Sequence, residues 1–174
     1  LARPNHAILE IRNQVVLSLL IDQGLQLAEL AGLRVSDVRL KEGEVYVRST
    51  PRTNGRTLSL KPRQIMLLHS YMTRERLQLL REQTDALILT KRGTAERGEG
   101  IHYLASTFRH RFKGRSLTPE TIRQSVIANL LKQGHDLRMV QVFAGHKYPS
   151  STERYKQSQI EELKAAVLRY HPFG

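Results

Sequence analysis

Residues 118–155 read TPETIRQSVIANLLKQGHDLRMVQVFAGHKYPSSTERY. Thr118 is a helix N-cap, with Pro119 at the first helical position, where a missing N–H costs nothing. Ile122, Val126, Ile127, Leu130 and Leu131 recur at helical spacing and form a stripe for burial. Gly134 ends that helix. Asp136 caps a second one, with Leu137, Val140 and Val142 as its apolar residues, and Ala144-Gly145-His146 breaks it. Arg123 lies inside the first helix. Tyr155 follows His146 by nine residues, beyond a turn at Pro149-Ser150-Ser151-Thr152.

These residue types suit one kind of chemistry. Breaking a phosphodiester without a metal needs a nucleophile, groups that neutralise the non-bridging oxygens, and an acid for the leaving 5′ oxygen. Arginine fits the oxygens, because its planar fork matches phosphate with two hydrogen bonds and keeps its charge. Tyrosine can attack and leave a phosphotyrosine link. Histidine can donate a hydrogen bond or move a proton. Each residue alone has a plainer reading. Tyr155 could be a packed surface ring, His146 a cation at a helix C-terminus, and Arg123 a solvated charge.

Outward from this stretch the chain is mostly helical. Asn5 to Asp22 reads as a helix capped by Asn5, with Ile8, Ile11, Val15, Val16, Leu19 and Leu20 inward, and Gly24 closes it. A short helix follows, with Leu27, Leu30 and Leu33 inward and Glu29 among them. Glu44–Arg48 and Thr57–Leu60 are strand candidates, joined through Asn54-Gly55, a strong hairpin signal. That hairpin carries Arg48, Arg52 and Arg56 near its tip, where they could reach a phosphate backbone. Lys61-Pro62 opens a third helix running towards Leu80. Ala86–Leu89 is a short apolar segment with strand character, and 91–100 a loop expected to be mobile. Leu104, Phe108 and Phe112 mark another helix with a basic cluster at Arg109, Arg111 and Lys113. His102 and His110 read as surface residues. A last amphipathic helix spans Ser158 to Tyr170.

Composition narrows the class. The 174 residues and 40% hydrophobic content suit one globular domain. The 28 Lys+Arg against 16 Asp+Glu give +12, which points to a polyanionic partner, most often nucleic acid. No cysteine is present, so disulfides, thiol nucleophiles and cysteine zinc sites are excluded. No apolar run approaches the roughly 20 residues that span a bilayer. No signal-peptide pattern opens the chain, so the expected setting is a reducing cytoplasm, at the nucleoid.

Two segments carry a family resemblance. GLQLAELAGLRVSDV, from Gly24 to Val38, is similar to a G-L-R-x-S-E-L-x-x-L-x-x-x-D box. TPETIRQS, followed by LLKQGHDLRMVQVFAGH and Tyr155, is similar to H-x-x-R-H followed by Gly-His and a tyrosine. Together they resemble the catalytic domain of tyrosine recombinases, the phage integrase and Xer family, over nearly the whole chain. The resemblance implies a mainly α fold with a small antiparallel β-hairpin sheet (α+β). It implies one catalytic domain over residues 1–174, with a separate N-terminal DNA-binding domain outside them. It implies DNA integration or site-specific recombination through a 3′-phosphotyrosine, without metal or nucleotide cofactor, by a tetramer on double-stranded DNA. Tyr155 would be the nucleophile, Arg123 a phosphate clamp, His146 a phosphate hydrogen-bond partner and Glu29 an acidic residue orienting the site. Arg48, Arg52, Arg56, Arg109, Arg111, Lys113 and Lys147 would contact DNA.

The chain departs from the pattern in places. Gln26 stands where the family has its first catalytic arginine, and Glu120 where it has a histidine or lysine. Gln124 stands where a second histidine is common. The lysine of the family's hairpin has no counterpart; Thr50 and Pro51 fall near its place, and Arg52 is the nearest cation. Two readings follow: a working recombinase with Arg34, Arg52 or a neighbouring basic residue compensating, or a recombinase fold that binds DNA with impaired or absent cleavage.

Overall fold

Helix α1 (His6–Gln23) buries Val15, Val16, Leu19 and Leu20 completely. Pairs at i, i+1, i+4 and i+5 put one apolar stripe along the helix, and each buried side chain of this size contributes about 1.5–3 kcal/mol. Asp22 lies off that stripe and pairs with Lys61 at 2.6 Å. The computed structural model describes residues 6–108, 117–157 and 161. Asn5, Phe112, His110, the cluster Arg109, Arg111 and Lys113, and nearly all of the expected last helix lie outside them.

Gly24, with φ +58°, turns the chain from α1 into α2 (Leu27–Ala31). A three-stranded antiparallel sheet follows in the order β1 (Val38–Arg39), β2 (Glu44–Val47), β3 (Arg56–Ser59). In β3 the alternation is inward Arg56 and Leu58, outward Thr57 and Ser59. Helix α3 (Pro62–Ser70) runs through one wide turn at Tyr71–Glu75 into α4 (Arg76–Leu79). Helices α5 (Glu99–Thr107), α6 (Pro119–Lys132) and α7 (Leu137–Ala144) complete the bundle, and 149–157 form a further helix, α8. One large core joins α1, α2, the sheet, α3 and α5, with Leu30, Leu68, Tyr71 and Ile101 fully buried. A smaller one joins Ile127, Val140 and Ala144, with Leu130, Leu131 and Tyr155 against it. The fold is the mainly α arrangement with a small antiparallel sheet that the sequence implied.

Several local expectations change. Asn54-Gly55 is not a two-residue I′ or II′ turn, both of which need positive φ at the first position; neither Asn54 nor Gly55 has it. The ladder closes at Val47↔Arg56, so 48–55 is one long connection. Its tight turn is at Thr50–Thr53, where Thr50 Oγ1 accepts from the Arg52 and Thr53 amides at 3.1 and 3.0 Å. The Asn54 amide is drawn instead to Gly145 O, at 2.8 Å.

Ala86–Leu89 forms no strand; Ala86 and Leu89 make isolated bridges with Arg34 and Ala95. The 91–100 loop is anchored, because buried Glu96 pairs with buried Arg12 at 2.8 Å and accepts from the Gly98 and Gly100 amides. Pro149–Thr152 is helical, with Thr152 fully buried. Val142 is 64% exposed rather than inward, because α7 packs through Val140 and Ala144.

Candidate active site

The site is built around one buried carboxylate. Glu29 sits in the first turn of α2, where negative charge is favoured. Its Oε2 accepts from the Gln26 amide at 2.8 Å, and its Oε1 accepts from Thr53 Oγ1 at 2.7 Å. Arg56 donates to both oxygens, Nη1 to Oε1 at 2.6 Å and Nη2 to Oε2 at 3.2 Å. Arg123 Nη1 lies 3.7 Å from Oε2. Burial alone would push the Glu29 carboxyl upward. The hydrogen bonds and charge of Arg56, with the Gln26 amide and Thr53, outweigh it and hold the group below its usual range.

The same two arginines close the end of α7. A helix leaves its last carbonyls without partners, and they carry partial negative charge. Arg56 Nε donates to Phe143 O at 2.6 Å, and Arg123 Nη2 to Ala144 O at 2.6 Å. Arg123 Nη1 also donates to Gly24 O at 2.7 Å, tying α6 to the α1–α2 turn. Gly145 takes φ +69°, and a Cβ there would stand 2.5 Å from Arg56 Nη1. The glycine before His146 is therefore needed for both its conformation and its lack of side chain.

His146 and Tyr155 form the upper layer. Their rings stack with centroids 6.3 Å apart and planes 7° from parallel. His146 pairs through its backbone with Thr53, and its Nδ1 shares a hydrogen bond of 2.7 Å with Thr152 Oγ1. Burial, with the charges of Arg123 and Arg56, lowers the His146 pKa to about 4. The imidazole is then neutral at pH 7. A histidine NMR titration is expected to show one ring with its midpoint near pH 4; an ordinary midpoint near ~6.5 for every histidine would remove this placement. Tyr155 is half-buried. Burial and Glu120 raise its pKa, while Arg123 and Arg154 pull it down, and the net direction is upward.

The structure thus brings Glu29, Arg123, His146 and Tyr155 together across α2, α6, α7 and α8. Gln26 is half-buried at the N-cap of α2, and Glu120 is exposed in the first turn of α6. Arg52 is exposed at the tip of the 48–55 connection, with exposed Lys147 donating to Pro51 O at 3.0 Å. Arg34 does not fill the place beside Gln26, since it pairs with Asp85 at 3.1 Å on the surface. Arg48 makes a two-pronged pair with buried Asp37 at 2.7 and 3.0 Å, so its charge is already partnered.

Arg56 is corrected most. Read as a DNA contact, it is only 7% exposed and spends its guanidinium on Glu29 and Phe143 O. It is a buried cation that shares the Glu29 carboxylate with the Gln26 amide, a role that sequence reasoning missed. Its signal was the strand alternation, which puts Arg56 on the same inward face as Leu58.

Comparison with known proteins places the chain and its fold. The family model described as "Phage integrase family" matches residues 1–162. A protein named tyrosine recombinase XerD from Ralstonia nicotianae is 31% identical over 170 residues, covering 97% of this chain and 55% of its own length. The chain therefore spans about half the length of the curated relatives it matches. Among solved structures, XerA recombinase superposes with a TM-score of 0.73 at 23% identity, over 98% of this chain and 66% of the other. XerH site-specific recombinase, in a post-cleavage complex with a palindromic difH substrate, gives 0.78 at 21% identity, over 94% and 47%.

Proposed function

The chain belongs to the phage integrase family of tyrosine recombinases, and from that footing we propose that it cuts and rejoins double-stranded DNA through a 3′-phosphotyrosine at Tyr155. The observation that carries this reading is the stack of Tyr155 on His146 above buried Arg123, with Glu29 holding the arginine layer in place. The +12 charge supplies attraction for the DNA backbone.

In this scheme the Tyr155 Oη attacks the scissile phosphorus. Arg123 supplies positive potential at the phosphate from the floor of the site, and its side chain is pre-aligned by the Gly24 and Ala144 carbonyls. Such pre-alignment matters because a group already oriented needs no reorganisation as charge develops. His146, neutral by burial and by neighbouring arginines, acts as a hydrogen-bond partner for a non-bridging oxygen. The raised phenol pKa keeps Tyr155 protonated in the free protein, and it ionises only as it attacks. The working unit is a tetramer on two paired DNA sites, acting in the cytoplasm at the nucleoid and joined to a further DNA-binding domain.

A nicked suicide duplex tests the assignment with the full-length protein. A covalent protein–DNA adduct is expected with wild type and none with Tyr155→Phe. An adduct that survives the substitution, or no adduct from wild type, overturns it.

A further inference from the structure

Cleavage by Tyr155 leaves one chemical need unmet: a proton for the departing 5′ oxygen. Arg56 and Arg123 cannot supply it, because a guanidinium does not give up its proton in a protein. Glu29 is held as a carboxylate by Arg56. His146 is neutral, and its Nδ1 is engaged by Thr152. The strand segment 44–60, which packs beside the site, contains arginines at 48, 52 and 56 but no lysine.

An ammonium nonetheless lies over that segment, brought from the other side of the site. Lys147 follows His146 directly and is exposed. Its Nζ donates to Pro51 O at 3.0 Å, spanning from the segment between α7 and α8 to the tip of the 48–55 connection. The two sides are fixed to each other: Thr53 bridges His146, and the Asn54 amide donates to Gly145 O. The ammonium is therefore held at the tip of the 48–55 connection, on the residue next to His146. It has three N–H groups, and the Pro51 carbonyl takes one.

We propose that Lys147 is the general acid of this site, giving a proton to the 5′ oxygen as the strand breaks. The inference rests on Tyr155 being the nucleophile. Tyr155 Oη bonds to phosphorus while the P–O5′ bond breaks and its electron pair goes to O5′. An Nζ proton of Lys147 passes to O5′, leaving a 5′-hydroxyl and a neutral amine. The phenolic proton goes to water, and the amine recovers its proton from water. Lysine suits the role because its ammonium, unlike a guanidinium, can act as a proton donor and reload.

The test uses two suicide duplexes with the full-length protein, one natural and one with sulfur in place of the bridging 5′ oxygen. A thiolate leaves without needing a proton. Lys147→Met is expected to slow cleavage of the natural strand by roughly 10²–10⁴-fold and to cleave the sulfur-bridged strand at nearly the wild-type rate. Lys156→Met, one residue past Tyr155 and about 100° round α8, is expected to leave both rates unchanged. An equal defect of Lys147→Met on both duplexes assigns the residue to DNA contact and overturns the proton-donor role, as does an unchanged natural rate. A sulfur rescue seen with Lys156→Met instead overturns it too. Wild type inert on both duplexes removes the nucleophile assignment and Lys147 with it.

Discussion

Glu29→Ala is expected to destabilise the domain by about 3–5 kcal/mol, the usual result of removing one partner of a buried ion pair. The substitution leaves Arg56 and Arg123 facing each other without their counter-charge. Thr53 Oγ1 and the Gln26 amide lose their acceptor at the same time. Against a typical domain stability of about 5–15 kcal/mol, this is a large fraction. For a domain of this size each kcal/mol moves the melting midpoint by roughly 2–4 °C, so thermal or urea unfolding reads the effect directly. A melt matching wild type would show that the carboxylate is not the centre of the site.

The pH dependence follows with a definite sign. The Glu29 carboxyl is held below its unfolded value in the folded protein. Its contribution to stability is therefore fully present above the unfolded pKa of about 4.3 and lost as pH falls through the lower folded value. His146, also lowered, acts in the same direction, losing stability as pH falls from ~6.5 towards its folded pKa of about 4. Acid-side stability curves of Glu29→Gln should therefore be flatter than those of wild type.

Gln26→Arg is expected to raise the single-turnover cleavage rate by about 10²–10³-fold, the scale of one well-placed donor on a developing oxyanion. Gln26 is half-buried at the N-cap of α2, where its backbone amide donates to Glu29 and its carbonyl accepts from Leu30. An arginine side chain there leaves that amide bond intact and adds charge beside the phosphate. Arg56 is occupied by Glu29 and Phe143 O. A rate equal to wild type would show that the scissile phosphate does not pass over position 26. A large gain would show that the natural site works below the capacity of its frame.

Much of the frame was legible in the chain itself. Thr118 with Pro119, and Asp136 with Gly145, mark the ends of α6 and α7, because caps act through bonds within a few residues. The spacing of Arg123, His146 and Tyr155 was equally local. Two readings failed where distant contacts compete with local preference. Asn54-Gly55 gave up its turn because the connection is pinned to α7, and the 91–100 loop is held by Arg12, which lies far away in sequence. A third changed over a short range: Pro149–Thr152 is helical, with Thr152 buried and bonded to His146.

What the sequence determined alone is the helical frame and the register of arginine, histidine and tyrosine along it. Only the tertiary structure decided which cations serve that register. Among Arg34, Arg48, Arg52 and Arg56, residue type and spacing are nearly equivalent, yet Arg56 pairs with Glu29, Arg48 with Asp37, Arg34 with Asp85, and Arg52 stays exposed. The reason is that a buried carboxylate selects its partner by position in space. That position is set by strand alternation and by which helix end closes over the sheet.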